Sequence, residues 1–196
     1  MQIMRALRRL FYGRPLYNLP DDPYIRAFVD NLPKKLKEGQ AIDLVPHLKR
    51  HGWSYLDAGL YACVYLSPCG RYVVRISKPD VRDAKCAYAR LCMLQEEENP
   101  YLPRIYAYLP FGKHTAVMVC EALKPVTEEN DQELDDLLGA FSDLWFGRTL
   151  IADLDLVLAV TLIRTAAKSW GVPDLVDCDS NIMLRGTQLV LNDPLM

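Results

Sequence analysis

The stretch from Asp174 to Met196 constrains the fold of this chain more than any other. Within it, Asn181-Ile182-Met183 and Leu189-Val190-Leu191-Asn192-Asp193-Pro194 are two short, largely apolar runs on either side of a turn. They read as paired strands. An asparagine opens the first run and an aspartate closes the second. A turn Asn or a strand-ending Asp is common by itself. Here the two bracket one hairpin.

What precedes the hairpin sets the rest of the architecture. A chain of 196 residues makes one or two domains and can bury a core. Asp21-Asp22-Pro23 is a helix start, followed by the apolar stripe Ile25, Phe28, Val29 and Leu32. A second helix is predicted from about Ala41 to His51, closed by Gly52. The pattern then changes to strands: Trp53–Ser67, holding Gly59, and the β-branched Tyr72–Ile76 after a Pro68-Cys69-Gly70 turn. A helix is predicted from near Pro79 to Glu98, with Ala84, Ala87, Tyr88, Leu91 and Leu94 on one face. Ile105–Leu109 and Thr115–Cys120 read as strands. Two helices follow. The first carries Leu134, Leu137, Leu138, Phe141 and Trp145 as its stripe, and the second, Leu150–Trp170, is apolar enough to be buried. The order predicts an α+β fold in three parts. These are an N-terminal helical extension (1–49), a small antiparallel sheet lobe (50–123) and a reduced helical lobe (124–196).

Composition excludes several classes. An apolar content of 51% is that of a folded protein. No apolar run is long enough to span a membrane, and the first ten residues lack a secretory pattern. The six cysteines include no Cys-x-x-Cys pair, which argues against zinc and for reduced thiols in a cytoplasm. His47 and His51 share a helix face, but no third ligand is near in sequence, so they read as a surface pair. The net charge of −2 hides a basic first quarter and an acidic run from Glu128 to Asp143. Solvated helix faces account for both, and no aromatic-interleaved basic strand points to nucleic acid.

Four further segments carry chemistry. From Asp57 to Tyr65, a strand turns at Gly59, then Ala62 and Val64 follow. Val73-Val74-Arg75-Ile76 places one cation in an apolar strand, where it either serves a site or faces solvent from an edge. Asp83 stands near the start of the next helix, a position the helix dipole favours for a carboxylate. Val117–Leu123 is a strand running into Glu121-Ala122-Leu123-Lys124.

Gly59–Tyr65, Val73–Ile76, Ala116–Lys124 and Asn181–Pro194, in this order, resemble the kinase domain of the early protein kinases of short-tailed bacteriophages. The resemblance covers roughly residues 50–196 and implies a protein-kinase-like bilobal fold, with ATP and magnesium as cofactors. It assigns Gly59 to the phosphate loop and Val64 to the cap over adenine. Arg75 takes the place of the lysine on the α- and β-phosphates. Glu121 and Leu123 fall on the hinge that reads adenine through backbone, and Asn181 and Asp193 on the metal. It also implies Ser/Thr phosphorylation, and host transcription machinery as a partner in the infected cell's cytoplasm.

The departures from the family point another way. The catalytic aspartate belongs five positions before Asn181, where Val176 stands; Asp177 is one position late. A compensated one-residue deletion would put Asp177 in the catalytic place, and the register stays open. Arg75 keeps the charge of a lysine without its shape. Little chain follows Asp193, so no platform for a peptide substrate is evident. The expectation is a catalytically impaired kinase-like phage protein that binds and modulates a host protein. The alternatives are an active Ser/Thr kinase using Asp177, and an ATP-binding switch without transfer.

Overall fold

The computed structural model describes residues 16–32, 44–78, 84–95, 98–112, 114–148, 153–171 and 181–193, with the side chains of 169 and 170 left aside. Helix α1 (Pro23–Asp30) starts as its sequence predicts. Asp22 caps it by accepting from the Tyr24 amide at 2.9 Å, and Pro23 fills the first turn, where its missing N–H costs nothing. Helix α2 spans Leu44–Arg50. The strands are β1 (Leu16–Tyr17), β2 (Ser54–Ala58), β3 (Ala62–Leu66), β4 (Tyr72–Ser77), β5 (Ile105–Pro110) and β6 (Ala116–Glu121). They form one antiparallel sheet in the order β1-β5-β6-β4-β3-β2. Between β4 and β5 lies helix α3 (Lys85–Met93). After β6 come β7 (Lys124–Pro125), helix α4 (Asp131–Phe146), helix α5 (Leu154–Trp170), β8 (Ile182–Arg185) and β9 (Gln188–Leu191). The last three strands form a second sheet, β7-β8-β9.

The described residues fall into two units. One holds those up to Cys86 together with Ile105–Ala122; the other holds Ala87–Arg104 and those from Leu123 onward. In the first unit the N-terminal helices share a core with the sheet. Ile25, Phe28, Val29, Leu44 and Leu48 pack with Trp53, Tyr65, Tyr72, Val74, Ile76 and Val119. Alternation along β4 explains the pairing: Tyr72, Val74 and Ile76 point to this face, while Val73, Arg75 and Ser77 point to the other. Asp22 fastens the arrangement. Its carboxylate accepts from the Tyr72 hydroxyl at 2.5 Å and pairs with Arg71 at 2.9 Å, tying the start of α1 to the start of β4.

The second unit is built on α4, α5 and the closing hairpin. Leu137 and Phe141 are the buried part of the α4 stripe, and Phe141 stacks on Trp145 at 5.7 Å. Helix α4 ends at Gly147, whose φ of 69° lets the Arg148 amide turn back onto the Asp143 carbonyl. Helix α5 begins at Asp153, which accepts from the amides of Asp155 and Leu156.

Two helix expectations need correction. The described part of α3 ends at Met93, and Leu94 lies 42% exposed beyond it. The glutamate run 96–98 would crowd negative charge onto the negative end of the helix dipole. Helix α5 is buried along one stripe only: Leu156, Ala159, Val160, Ile163, Ala166 and Ala167 are inside, while Leu154 and Leu158 are 73% and 57% exposed. High overall hydropathy concealed that sidedness.

Candidate functional site

Of the residues assigned to the nucleotide's base and phosphates, Gly59, Val64, Arg75 and Glu121 lie in the first unit and Leu123 in the second. β2 and β3 form the hairpin expected around Gly59, with Asp57 opposite Val64, Ala58 opposite Cys63, and the Gly59 amide donating to the Ala62 carbonyl at 3.0 Å. Gly59 does not adopt a positive φ, and a Cβ built on it would meet nothing within 4 Å. The turn itself therefore makes no demand for glycine.

Arg75 is not an edge residue. Its strand β4 lies between β3 and β6, and its side chain is only 9% exposed. Val64 is directly opposite Arg75 on β3, and Met118 directly opposite on β6. Opposed residues share a face, so Val64, Arg75 and Met118 stand together on the side away from the α1–α2 core. A buried guanidinium in a sheet interior is costly and rare. Lys85, at the start of α3, is a second buried cation of this unit, at 5% exposure, and its sequence context gave no sign of burial. Glu121 ends β6, buried, opposite Tyr72 and hence on the face opposite to Arg75. The reading of Glu121 as a hinge residue concerned its backbone, which this does not touch.

The second unit holds the proposed metal residues. Ile182 pairs with Leu191 and Arg185 with Gln188, leaving Gly186-Thr187 as a two-residue turn whose glycine has φ 63°. At the open end, the Asn181 carbonyl accepts from the amides of Asn192 at 2.9 Å and Asp193 at 3.3 Å. Asn181 and Asp193 are thus brought together by backbone, with both side chains partly buried. Asn192, which the sequence reading passed over, donates to the Met183 sulfur at 3.2 Å. Leu123 immediately precedes β7, which pairs with β8. Asp177, with Val176 beside it, and Asp83 lie outside the described residues.

Residues never singled out for a site hold the hairpin. The Tyr88 hydroxyl donates to the Leu191 carbonyl at 2.6 Å, and the Leu191 amide donates to the Tyr101 carbonyl at 2.9 Å. The Arg185 guanidinium donates to the carbonyls of Pro100 and Leu102. The Tyr101 hydroxyl in turn donates to Asp153 at 2.5 Å, and burial followed by this bond pushes its pKa up to about 12. The same bond leads the causes that hold the Asp153 carboxyl below its ordinary range.

No protein-family model matches the chain, and no curated protein matches it in sequence. Solved structures do match. One is the maize SIRK1 (sucrose-induced receptor kinase 1) kinase domain bound to AMP-PNP, at 13% identity and a TM-score of 0.38, covering 76% of this chain and 52% of that one. Another is a streptomycin–ATP–APH(2")-IIa ternary complex, at 13% identity and a TM-score of 0.40, covering 77% and 70%. The chain thus spans about half the length of the maize kinase domain.

The fold is kinase-like. Its own element order carries that statement: a hairpin, a third strand bearing the cation, a helix, two more strands, then helices and a closing hairpin with Asn and Asp at its open end. Among the described residues, no three His, Cys, Asp or Glu side chains gather as metal ligands, and no helix is long and apolar enough to cross a membrane. Magnesium bound with a nucleotide needs no such cage. It takes one or two protein oxygens and fills the rest of its shell with phosphates and water. Asn181 and Asp193 offer that donor set, and magnesium held there would neutralise phosphate charge. His47 and His51 have ring centroids 4.4 Å apart, and His47 also faces Phe28 at 6.2 Å. Burial first, then His51, holds the His47 pKa down.

Proposed function

We propose that this chain is a phage-encoded, kinase-like protein that binds a magnesium nucleotide, is impaired in phosphotransfer, and acts by binding a host protein in the host cytoplasm. One observation carries the nucleotide part: the Asn181 carbonyl accepts the amides of both Asn192 and Asp193, which brings the two candidate metal donors to one end of the hairpin. The impairment rests on Arg75, a guanidinium buried in the middle of the sheet where the family uses a lysine. A lysine ammonium is compact and turns freely toward phosphate, whereas a guanidinium is planar and fixed in direction. Val176, in the expected place of the catalytic aspartate, adds to it. The phage origin, the host partner and its link to transcription follow from the sequence resemblance alone.

The test uses the full chain. Thermal shift with ATP and magnesium measures binding, and labelled ATP with host lysate measures transfer. The expected outcome is a stabilisation that Asp193→Asn abolishes, with no labelled product. Transfer that disappears in both Asp177→Asn and Asp193→Asn would replace this reading by an active Ser/Thr kinase using Asp177. Absence of any ATP-dependent shift would remove the nucleotide from the function.

A further inference from the structure

We propose that His47 is an acid-sensitive latch: a proton on its ring releases helix α2 from α1 and the sheet. His47 lies within α2 and His51 directly follows the helix, with their ring centroids 4.4 Å apart. The pair reads from sequence as a surface feature, yet of the two only His51 is exposed. His47 packs against Phe28 of α1 at 6.2 Å. Its Nε2 atom is shut off from water and has no hydrogen-bond partner among the described residues. The same Phe28 ring lies 4.5 Å from that of Trp53, whose buried Nε1 is also without a partner. An indole N–H only donates, so it offers nothing to a protonated Nε2, which donates too.

A proton on His47 therefore places a charge in an apolar contact with no acceptor. Burial opposes that charge most, and His51 and Arg50 oppose it further. The other elements around it bring no relief. Helix α1 meets the ring with Phe28, while its charged Arg26 and Asp30 are exposed, and Arg26 is engaged with the Pro20 carbonyl and Asp21. Asp22 is bound to Tyr72 and Arg71. On the sheet side the shared core offers Trp53, Tyr65 and Tyr72, and both tyrosines ionise later than an ordinary phenol. The negative end of α2 favours a cation, but Lys49 and Arg50 already stand there.

The sign follows from linkage. Above about 6.5, the ordinary histidine value, His47 is neutral whether α2 is docked or released, and the latch is at full strength. Below it the released form takes up a proton first, and the latch weakens until the docked form is protonated as well. The tie from Asp22 to Tyr72 and Arg71 survives this range, because its carboxyl is held below the ordinary carboxylate value, first by the Tyr72 bond. Helix α1 thus stays while α2 leaves. Seven residues do not hold a helix alone, so release melts α2. It frees the amides of His51, Gly52 and Trp53, which are bonded to the carbonyls of His47, Lys49 and Leu48.

The test uses the full chain. An NMR titration follows the His47 ring proton, and amide hydrogen exchange at pH values about one unit above and one below 6.5 measures opening, after correction for the intrinsic rate. His47 should protonate below its ordinary value. The opening constant at His51, Gly52 and Trp53 should rise by up to about tenfold across the two pH values. The amides of Arg26, bonded to the Asp22 carbonyl, and of Leu191, in the second unit, should show no such rise. His47→Phe keeps a ring against Phe28, takes no proton, and should flatten the response. A response that persists in His47→Phe overturns the proposal, as does a His47 that titrates at or above its ordinary value. An equal acceleration at Leu191 overturns it too, since it marks unfolding of the whole chain instead of release of α2. If His47→Phe does not fold, the titration and exchange of the natural chain decide.

Discussion

Phe28 offers a direct test of whether the N-terminal helices belong to the body of the sheet unit. It lies on α1, 6% exposed, with its ring centroid 4.5 Å from Trp53 and 6.2 Å from His47. Tyr24 on the same helix stacks at 6.5 Å on both Trp53 and Tyr72. Phe28→Ala therefore opens a cavity between α1, α2 and the sheet. Truncating a buried phenylalanine costs about 3–5 kcal/mol. The tilted contact with Trp53 adds roughly 0.5–1.5 kcal/mol, and partial collapse of α1 offsets some of the sum. A net loss of about 4 kcal/mol corresponds to a fall in melting temperature of roughly 8–16 °C for a chain of this size. Fluorescence of the three tryptophans, of which Trp53 in the first unit is 3% exposed, and circular dichroism both follow unfolding of the chain. Phe146→Ala is the matched control. At 64% exposure it is expected to change stability by no more than about 0.5 kcal/mol. A fall of less than about 3 °C in Phe28→Ala would refute the shared core and make residues 16–50 a dispensable attachment.

Gly59→Ala is expected to leave the melting temperature unchanged or slightly raised, since neither space nor φ demands glycine there. It should nonetheless weaken nucleotide binding if phosphate approaches that backbone, which a mant-ATP titration reads. In an alkaline titration followed by ultraviolet absorbance, Tyr72 and Tyr101 should ionise late, near about 12, and Tyr72→Phe or Tyr101→Phe should each remove one late proton. Their folded pKa lies above the unfolded one, so their contribution is complete below about 10 and is lost as pH rises toward about 12. Asp153 has the opposite sign: its carboxyl is held down, so its contribution is present above the ordinary carboxylate range and disappears as pH falls through it. Asp153→Ala should cost about 1 kcal/mol at neutral pH through loss of the α5 cap, and less in acid, as urea unfolding at two pH values would show.

Local pattern made much of this chain legible. The α1 start follows from Asp22-Pro23, the strands from β-branched runs, and the closing hairpin from two apolar runs around Gly186. These depend on neighbours in sequence, where periodicity and turn chemistry act directly. The α+β order of a sheet lobe followed by helices was readable for the same reason. Asn181 and Asp193 stood out because they bracket one local hairpin.

Tertiary structure decided the rest, because it set which surfaces each element meets. Whether Arg75 faced solvent depended on β4 acquiring neighbours on both sides, and β6, more than forty residues on in sequence, supplied one of them. Helix α5 read as apolar enough to be buried, yet the fold covers one stripe of it. Tyr88 read as one more apolar position because its partner is a backbone carbonyl 103 residues away. A backbone group carries no side-chain signature, so no pattern near Tyr88 announces it. The sequence by itself determined the elements and put Asn181 and Asp193 at the two ends of one hairpin. Only packing over long chain separations determined that Tyr88 and Tyr101 hold the Leu191 backbone near that end.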